Sequence, residues 1–119
     1  MGRAATHKKY RILCLGDDPR HRKLMEMAVK TEGMACQFYH TSTQGSFEVA
    51  LDAMTFDLII SDFGVRGYDG FEAMAAARKA QVGTPFVLLT NSMTEAQATE
   101  GLKHARELMF EKARANARQ

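Results

Sequence analysis

The chain predicts an α/β domain on a doubly wound parallel sheet, and three observations carry that prediction. Short apolar runs alternate with segments of helical spacing in the order βαβαβαβα, which implies parallel strands joined by right-handed crossovers. Leu58 to Ser61 is apolar on both faces, as expected at the centre of a parallel sheet. Three of the runs close on polar groups: Asp17-Asp18 after Ile12 to Leu15, Asp62 after Ser61, and Thr90 after Phe86 to Leu89. In open parallel sheets the crevice beyond the carboxyl ends of the strands is where ligands bind. A carboxylate cluster beside a hydroxyl is therefore expected there, suited to a hard cation and a phosphoryl group.

The elements follow in order. Tyr10 to Leu15 reads as a buried strand. Asp18 caps the first helix with Pro19 at its first position; Leu24, Met27 and Ala28 give its apolar face, and Gly33 ends it. Met34 to Tyr39 reads as the second strand. Ser46 to Met54 is the second helix, with Phe47, Ala50, Leu51 and Met54 inward. After the third strand the loop Phe63 to Tyr68 leads to Asp69, which caps a third helix facing inward through Phe71, Met74 and Ala75. Thr84-Pro85 opens the fourth strand, Phe86 to Leu89. From Thr94 onward the chain is rich in Ala, Glu, Lys and Arg and reads mostly as helix. A fifth strand would have to come from Leu108-Met109-Phe110, so an atypical or shortened end to the sheet is expected.

Composition narrows the function classes. With 119 residues and 45% hydrophobic content, the chain fits one domain, read as residues 9–119 behind a leader over 1–8. Met1-Gly2 with Thr6 is a weak myristoylation match, set aside in favour of a leader. No apolar stretch nears the ~20 residues that cross a bilayer, and a net charge of +2 gives no argument for nucleic acid. Cys14 and Cys36 lie within apolar runs, consistent with buried thiols in the cytoplasm. His7, His21, His40 and His104 show no ligand spacing. The string Asp62-Phe63-Gly64 matches a kinase D-F-G, but the glycine-rich loop and H-R-D segment are lacking. A dehalogenase-type phosphatase would need an Asp where Gly64 stands.

From about Lys9 to Lys112 the chain resembles the receiver domain of two-component response regulators. Leu15-Gly16-Asp17-Asp18-Pro19 matches the acidic end of that family's first strand. Asp62 to Gly70 matches its D-x-x-M-P-x-M-D-G segment, Thr90 its hydroxyl residue, and Lys112, by distance, its lysine. The resemblance implies a flavodoxin-like fold with strand order 2-1-3-4-5. It also implies Asp62 as phosphoacceptor, with Thr90 and Lys112 contacting the phosphoryl group. Mg2+ would be held by Asp17, Asp62 and the backbone carbonyl of Gly64, with Asp18 a further candidate ligand. The domain would not be an enzyme beyond chemistry on its own aspartate.

Departures from the pattern bear on function. Gly16 replaces an acidic residue that supports the metal, Asn91 a very small residue, and Met109 the aromatic residue that moves on activation. Ala105 and Ala113 replace the glycine and proline flanking the fifth strand. Lys112 therefore also reads as a solvent-facing helical lysine. Asp18 and Asp69 read as helix caps, Asp62 alone as a turn-forming residue, and Thr90 as a strand-end hydroxyl bonded to its own backbone. Two functions follow. One is a cytoplasmic receiver phosphorylated by a histidine kinase or phosphotransfer protein, signalling to a protein target without nucleic acid or membrane, and compatible with a homodimer. The other is a degenerate receiver acting as a phosphorylation-independent interaction or dimerisation module. An excised piece of a larger regulator or hybrid kinase is a third origin.

Overall fold

The computed structural model describes residues 9–117. Four parallel strands form the sheet: β1 (Tyr10–Leu15), β2 (Cys36–Thr41), β3 (Leu58–Asp62) and β6 (Phe86–Leu89), ordered β2-β1-β3-β6. A two-stranded antiparallel ribbon, β4 (Gly64–Val65) with β5 (Tyr68–Asp69), occupies the segment read as a loop, turning at Gly67 with φ 74°. The helices are α1 (Pro19–Thr31), α2 (Gln44–Ala53), α3 (Gly70–Ala80) and α4 (Glu95–Ala117).

Local chemistry explains most of these boundaries. Asp18 accepts the Arg20 amide at 2.9 Å, with Pro19 at the first helical position, where its missing N–H costs nothing. Gly33, at φ +66°, takes the left-handed conformation just past α1. Thr43–Ser46, Asp69–Glu72 and Thr94–Gln97 form reciprocal capping pairs at the starts of α2, α3 and α4.

Alternation along β1 feeds two cores. Ile12 joins Met25, Ala28, Ile60, Leu102 and Met109 on the α1/α4 face; Leu13 and Leu15 join Phe47, Leu51, Ile59 and Tyr68 on the α2/α3 face. All five residues of β3 are buried, as the central position demands.

Several expectations need correction. Leu108-Met109-Phe110 is not a fifth strand, because α4 runs unbroken through it. No proline or glycine interrupts residues 102–117, and Ala105 stands where a helix would otherwise be weakened by glycine. Ala98, Leu102, Ala105 and Met109 form one buried helical stripe, packed in the same core as Met25, Ala28 and Val29 of α1. Burying that stripe satisfies the apolar residues without a strand. The faces of two helices also differ. In α3, Ala73 and Ala77 are buried while Phe71 is 60% exposed; in α1, His21, Met25, Ala28 and Val29 are buried and Met27 is exposed. Small residues let α3 approach the sheet, and the large ones turn outward.

Gly70 shows how tight that approach is. A Cβ there would stand 2.5 Å from Leu88 Cδ1 and 2.7 Å from the Phe63 carbonyl oxygen, and backbone cannot move aside cheaply. Gly70→Ala should lower stability by about 2 kcal/mol despite alanine's better helix propensity, measured by urea denaturation. An unchanged midpoint would contradict that packing.

Candidate functional site

Strand register assembles the expected edge. Leu15 pairs with Ser61 and Asp62 with Leu89, so Gly16, Asp62 and Thr90 emerge on neighbouring strands at the carboxyl end of the sheet. The Gly16 amide donates to the Thr41 carbonyl at 2.9 Å, which fixes the chain as it leaves β1. A cleft opens there, lined by Cys14, Gly16, His21, Phe38, His40 and Asp62 among others.

Asp62 is 7% exposed and its carboxylate turns toward α1. His21, 8% exposed on the first turn of that helix, meets it with Nδ1 2.7 Å from Oδ1. An ionised carboxylate can only accept, so the imidazole Nδ1–H donates. The other side of the carboxylate lies against Gly16: a Cβ at that position would sit 2.5 Å from Asp62 Cγ and 2.8 Å from Oδ1. Glycine is thus the residue that leaves this space free.

Burial raises the Asp62 pKa above the usual carboxylate range, opposed by the bond and charge of His21 and reinforced by the negative charges of Asp18 and Asp17. That influence places all three carboxylates in one electrostatic neighbourhood. Their roles nevertheless differ. Asp18 caps α1 and pairs with the Arg20 guanidinium at 2.9 Å, whose hydrogen bonds hold its pKa down at about 2. Asp17 is exposed, as are Thr90 and Gly64. Thr90 uses its carbonyl to accept the Met93 amide at 3.2 Å.

Lys112 is not at this site. It lies on α4, and its Nζ donates to Thr84 Oγ1 at 3.4 Å. Thr84 precedes β6, whereas Asp62 ends β3, so the lysine stands toward the opposite end of the sheet. The expected strand-end position vanished with the fifth strand.

The donor chemistry suits a hard divalent ion, since Asp17, Asp62 and the Gly64 carbonyl all offer oxygen. In this conformation, however, Asp62 is engaged elsewhere. Among the described residues no group of three or more His, Cys, Asp or Glu side chains is placed to hold a metal. One oxygen of Asp62 is bonded to His21, and the carboxylate as a whole is packed against Gly16.

His21 is the residue that sequence reasoning missed. Its signal was positional rather than motif-like: three residues past the Asp18 cap, on the turn of α1 nearest the strand ends, opposite a glycine. Cys14 lines the same cleft, and burial pushes its thiol up to about 12, while burial of Cys36 gives about 11. At pH 8, Cys36 should be alkylated ~10-fold faster than Cys14 in the native chain, because thiolate is the reacting form. Peptide mapping after timed iodoacetamide exposure measures the ratio; a faster Cys14 would contradict it.

Among the described residues, no helix is long and apolar enough to cross a membrane. Comparison with known proteins supplies the family. The response regulator receiver domain profile matches residues 12–118. The transcriptional regulatory protein GlrR of Escherichia coli is 31% identical over 85 residues, covering 71% of this chain and 19% of GlrR. TcrA of Mycobacterium tuberculosis is 35% identical over 81 residues, covering 67% of this chain and 31% of TcrA. The chain thus spans a third or less of the length of these relatives. A response regulator from Hahella chejuensis superposes with a TM-score of 0.61 at 28% identity, covering 80% of this chain and 74% of that one. A CheY-like receiver from Methanospirillum hungatei gives a TM-score of 0.70 at 15% identity over 88% and 99%, a likeness of fold. A four-stranded parallel sheet with its central carboxylate at the carboxyl edge, matched over nearly its whole length by that profile, places this chain in the response regulator receiver family.

Proposed function

We propose that this receiver accepts a phosphoryl group on Asp62 from a histidine kinase or phosphotransfer protein and signals by protein binding. The observation that carries the proposal is the position of Asp62: a buried carboxylate ending the central strand, level with the ends of β1 and β6. An oxygen of Asp62 would attack phosphorus in line as the phosphorus–nitrogen bond of a phosphohistidine breaks. The departing imidazole nitrogen keeps the electron pair and later takes up a proton. Positioning and charge stabilisation are what such transfer asks of a protein.

Thr90, one residue past the level of Asp62, would donate its hydroxyl to the resulting phosphoryl group, a bond available only in the modified state. With Lys112 elsewhere, no lysine is assigned to the phosphoryl oxygens. Mg2+ is the proposed ion; Asp17, Asp62 and the Gly64 carbonyl would be its ligands once Asp62 leaves His21, and it would supply positive charge against anion repulsion. One of the solved receivers of this fold, the receiver domain of sensor histidine kinase PA1611 from Pseudomonas aeruginosa, is described with a magnesium ion coordinated in its active site cleft.

Incubation with MgCl2 and acetyl phosphate, followed by intact-mass spectrometry, tests the proposal. One phosphoryl adduct is expected on wild type and none on Asp62→Asn. No adduct on either would favour a second reading, a phosphorylation-independent interaction module. Two observations support that alternative: Lys112 stands away from the site, and Asp62 is closed onto His21.

A further inference from the structure

Gly16 and His21 are separate features in sequence, but one geometry joins them. The Asp62 carboxylate lies in the space that any side chain at position 16 would fill, and its Oδ1 is bonded to the His21 ring. Both flanking groups are needed for that pose. With a Cβ at residue 16 the carboxylate would have to swing away, and without His21 it would lose the hydrogen bond that holds it there.

We propose that Gly16 and His21 form an internal cradle that parks the Asp62 carboxylate and competes with a divalent cation for it. His21 holds Oδ1, the other oxygen lies against Gly16, and Gly16 leaves room for the carboxylate to reach His21. A cation that draws the side chain out toward Asp17 does so at the cost of this bond and of the packing against Gly16. The resting receiver is thereby biased against metal, and its readiness is set by how easily the cradle opens. His21 is a positioning residue here. The inference rests on Asp62 being the metal-binding and phosphoryl-accepting residue of the site.

The cradle is separable from the rest of the fold. The group met by a Cβ at Gly16 is the far end of a side chain, which can rotate, so Gly16→Ala should eject the carboxylate without adding any ligand. His21→Leu removes the competing donor and keeps an apolar residue on the buried face of α1.

Titration of the full chain with MgCl2, followed by 1H–15N NMR, provides the test, with circular dichroism confirming that each variant is folded. Gly16→Ala and His21→Leu should each bind Mg2+ about tenfold or more tightly than wild type, the scale of one lost charge-assisted hydrogen bond. Gly16→Ala should also shift the His21 ring resonances, with no metal present, by freeing the imidazole from Asp62. Folded variants whose affinity stays within twofold of wild type, or falls, overturn the cradle, as does an absence of Mg2+ binding throughout. If His21→Leu does not fold, the Gly16→Ala affinity and ring shift decide alone. Because this readout is metal affinity and the ring signal, it is independent of whether acetyl phosphate modifies the chain.

Discussion

Gln81→Leu should destabilise the fold by about 4 kcal/mol, a larger loss than that expected of Gly70→Ala. Gln81 is 9% exposed at the end of α3, yet its bonds reach another helix end. Its Nε2 donates to the carbonyls of Leu51 (3.1 Å) and Met54 (2.7 Å), and its Oε1 accepts the Phe56 amide at 2.8 Å. One side chain therefore satisfies two carbonyls at the end of α2 and an amide on the way into β3. Leucine of similar volume would leave three backbone groups without that partner, each costing ~1–3 kcal/mol where water cannot replace it. Gln81→Glu keeps the shape but turns the Nε2 donor into an acceptor facing two carbonyls, so it should be at least as damaging. Urea denaturation with an unchanged slope measures both. A loss below ~1 kcal/mol for Gln81→Leu would mean that water reaches these groups freely.

Asp62→Asn carries the largest functional effect, complete loss of phosphoryl uptake, because an amide offers no anionic oxygen for attack. Its effect on stability has the opposite sign. Since burial raises the folded pKa of Asp62 above the ordinary value of 3.8, the folded state holds the proton more firmly than the unfolded chain. The resulting stabilisation is full below the unfolded pKa and is lost as pH rises through the higher folded value. At pH 7 the charged group is then a net burden, and Asp62→Asn should be more stable than wild type. The gap should close as pH falls toward the ordinary carboxylate range. A gap that widened in acid would show that His21 outweighs burial.

These two residues also mark what the sequence could and could not reveal. Asp62 was legible because an ionisable side chain at the end of a wholly apolar strand has few explanations. The caps Asp18 and Asp69 were legible because capping is local, within three residues of chain. Gln81 was not, since its partners lie 25 to 30 residues away and glutamine has no pattern that marks a keystone. His21 and Asp62 are 41 residues apart and meet only through the sheet register and the docking of α1. Gly16 was read as a missing acid; folded, it is a space occupied by Asp62.

The C-terminal third was the least legible. Leu108-Met109-Phe110 has the apolar look of a short strand, and Lys112 falls at a receiver lysine's distance from Thr90. Helix propensity over residues 102–117 and the stripe Ala98, Leu102, Ala105 and Met109 decide the outcome, because burying that stripe beside α1 requires the helix to continue. β6 consequently ends the sheet among the described residues.

Locating the phosphoryl group tests the assignment of Asp62 most directly. After exposure to acetyl phosphate and MgCl2, borohydride reduction converts an acyl phosphate to the corresponding alcohol, and peptide sequencing by mass spectrometry identifies the residue. Homoserine at position 62, and at neither 17 nor 18, is the predicted result. Reduction at another carboxylate, or at none, would contradict it.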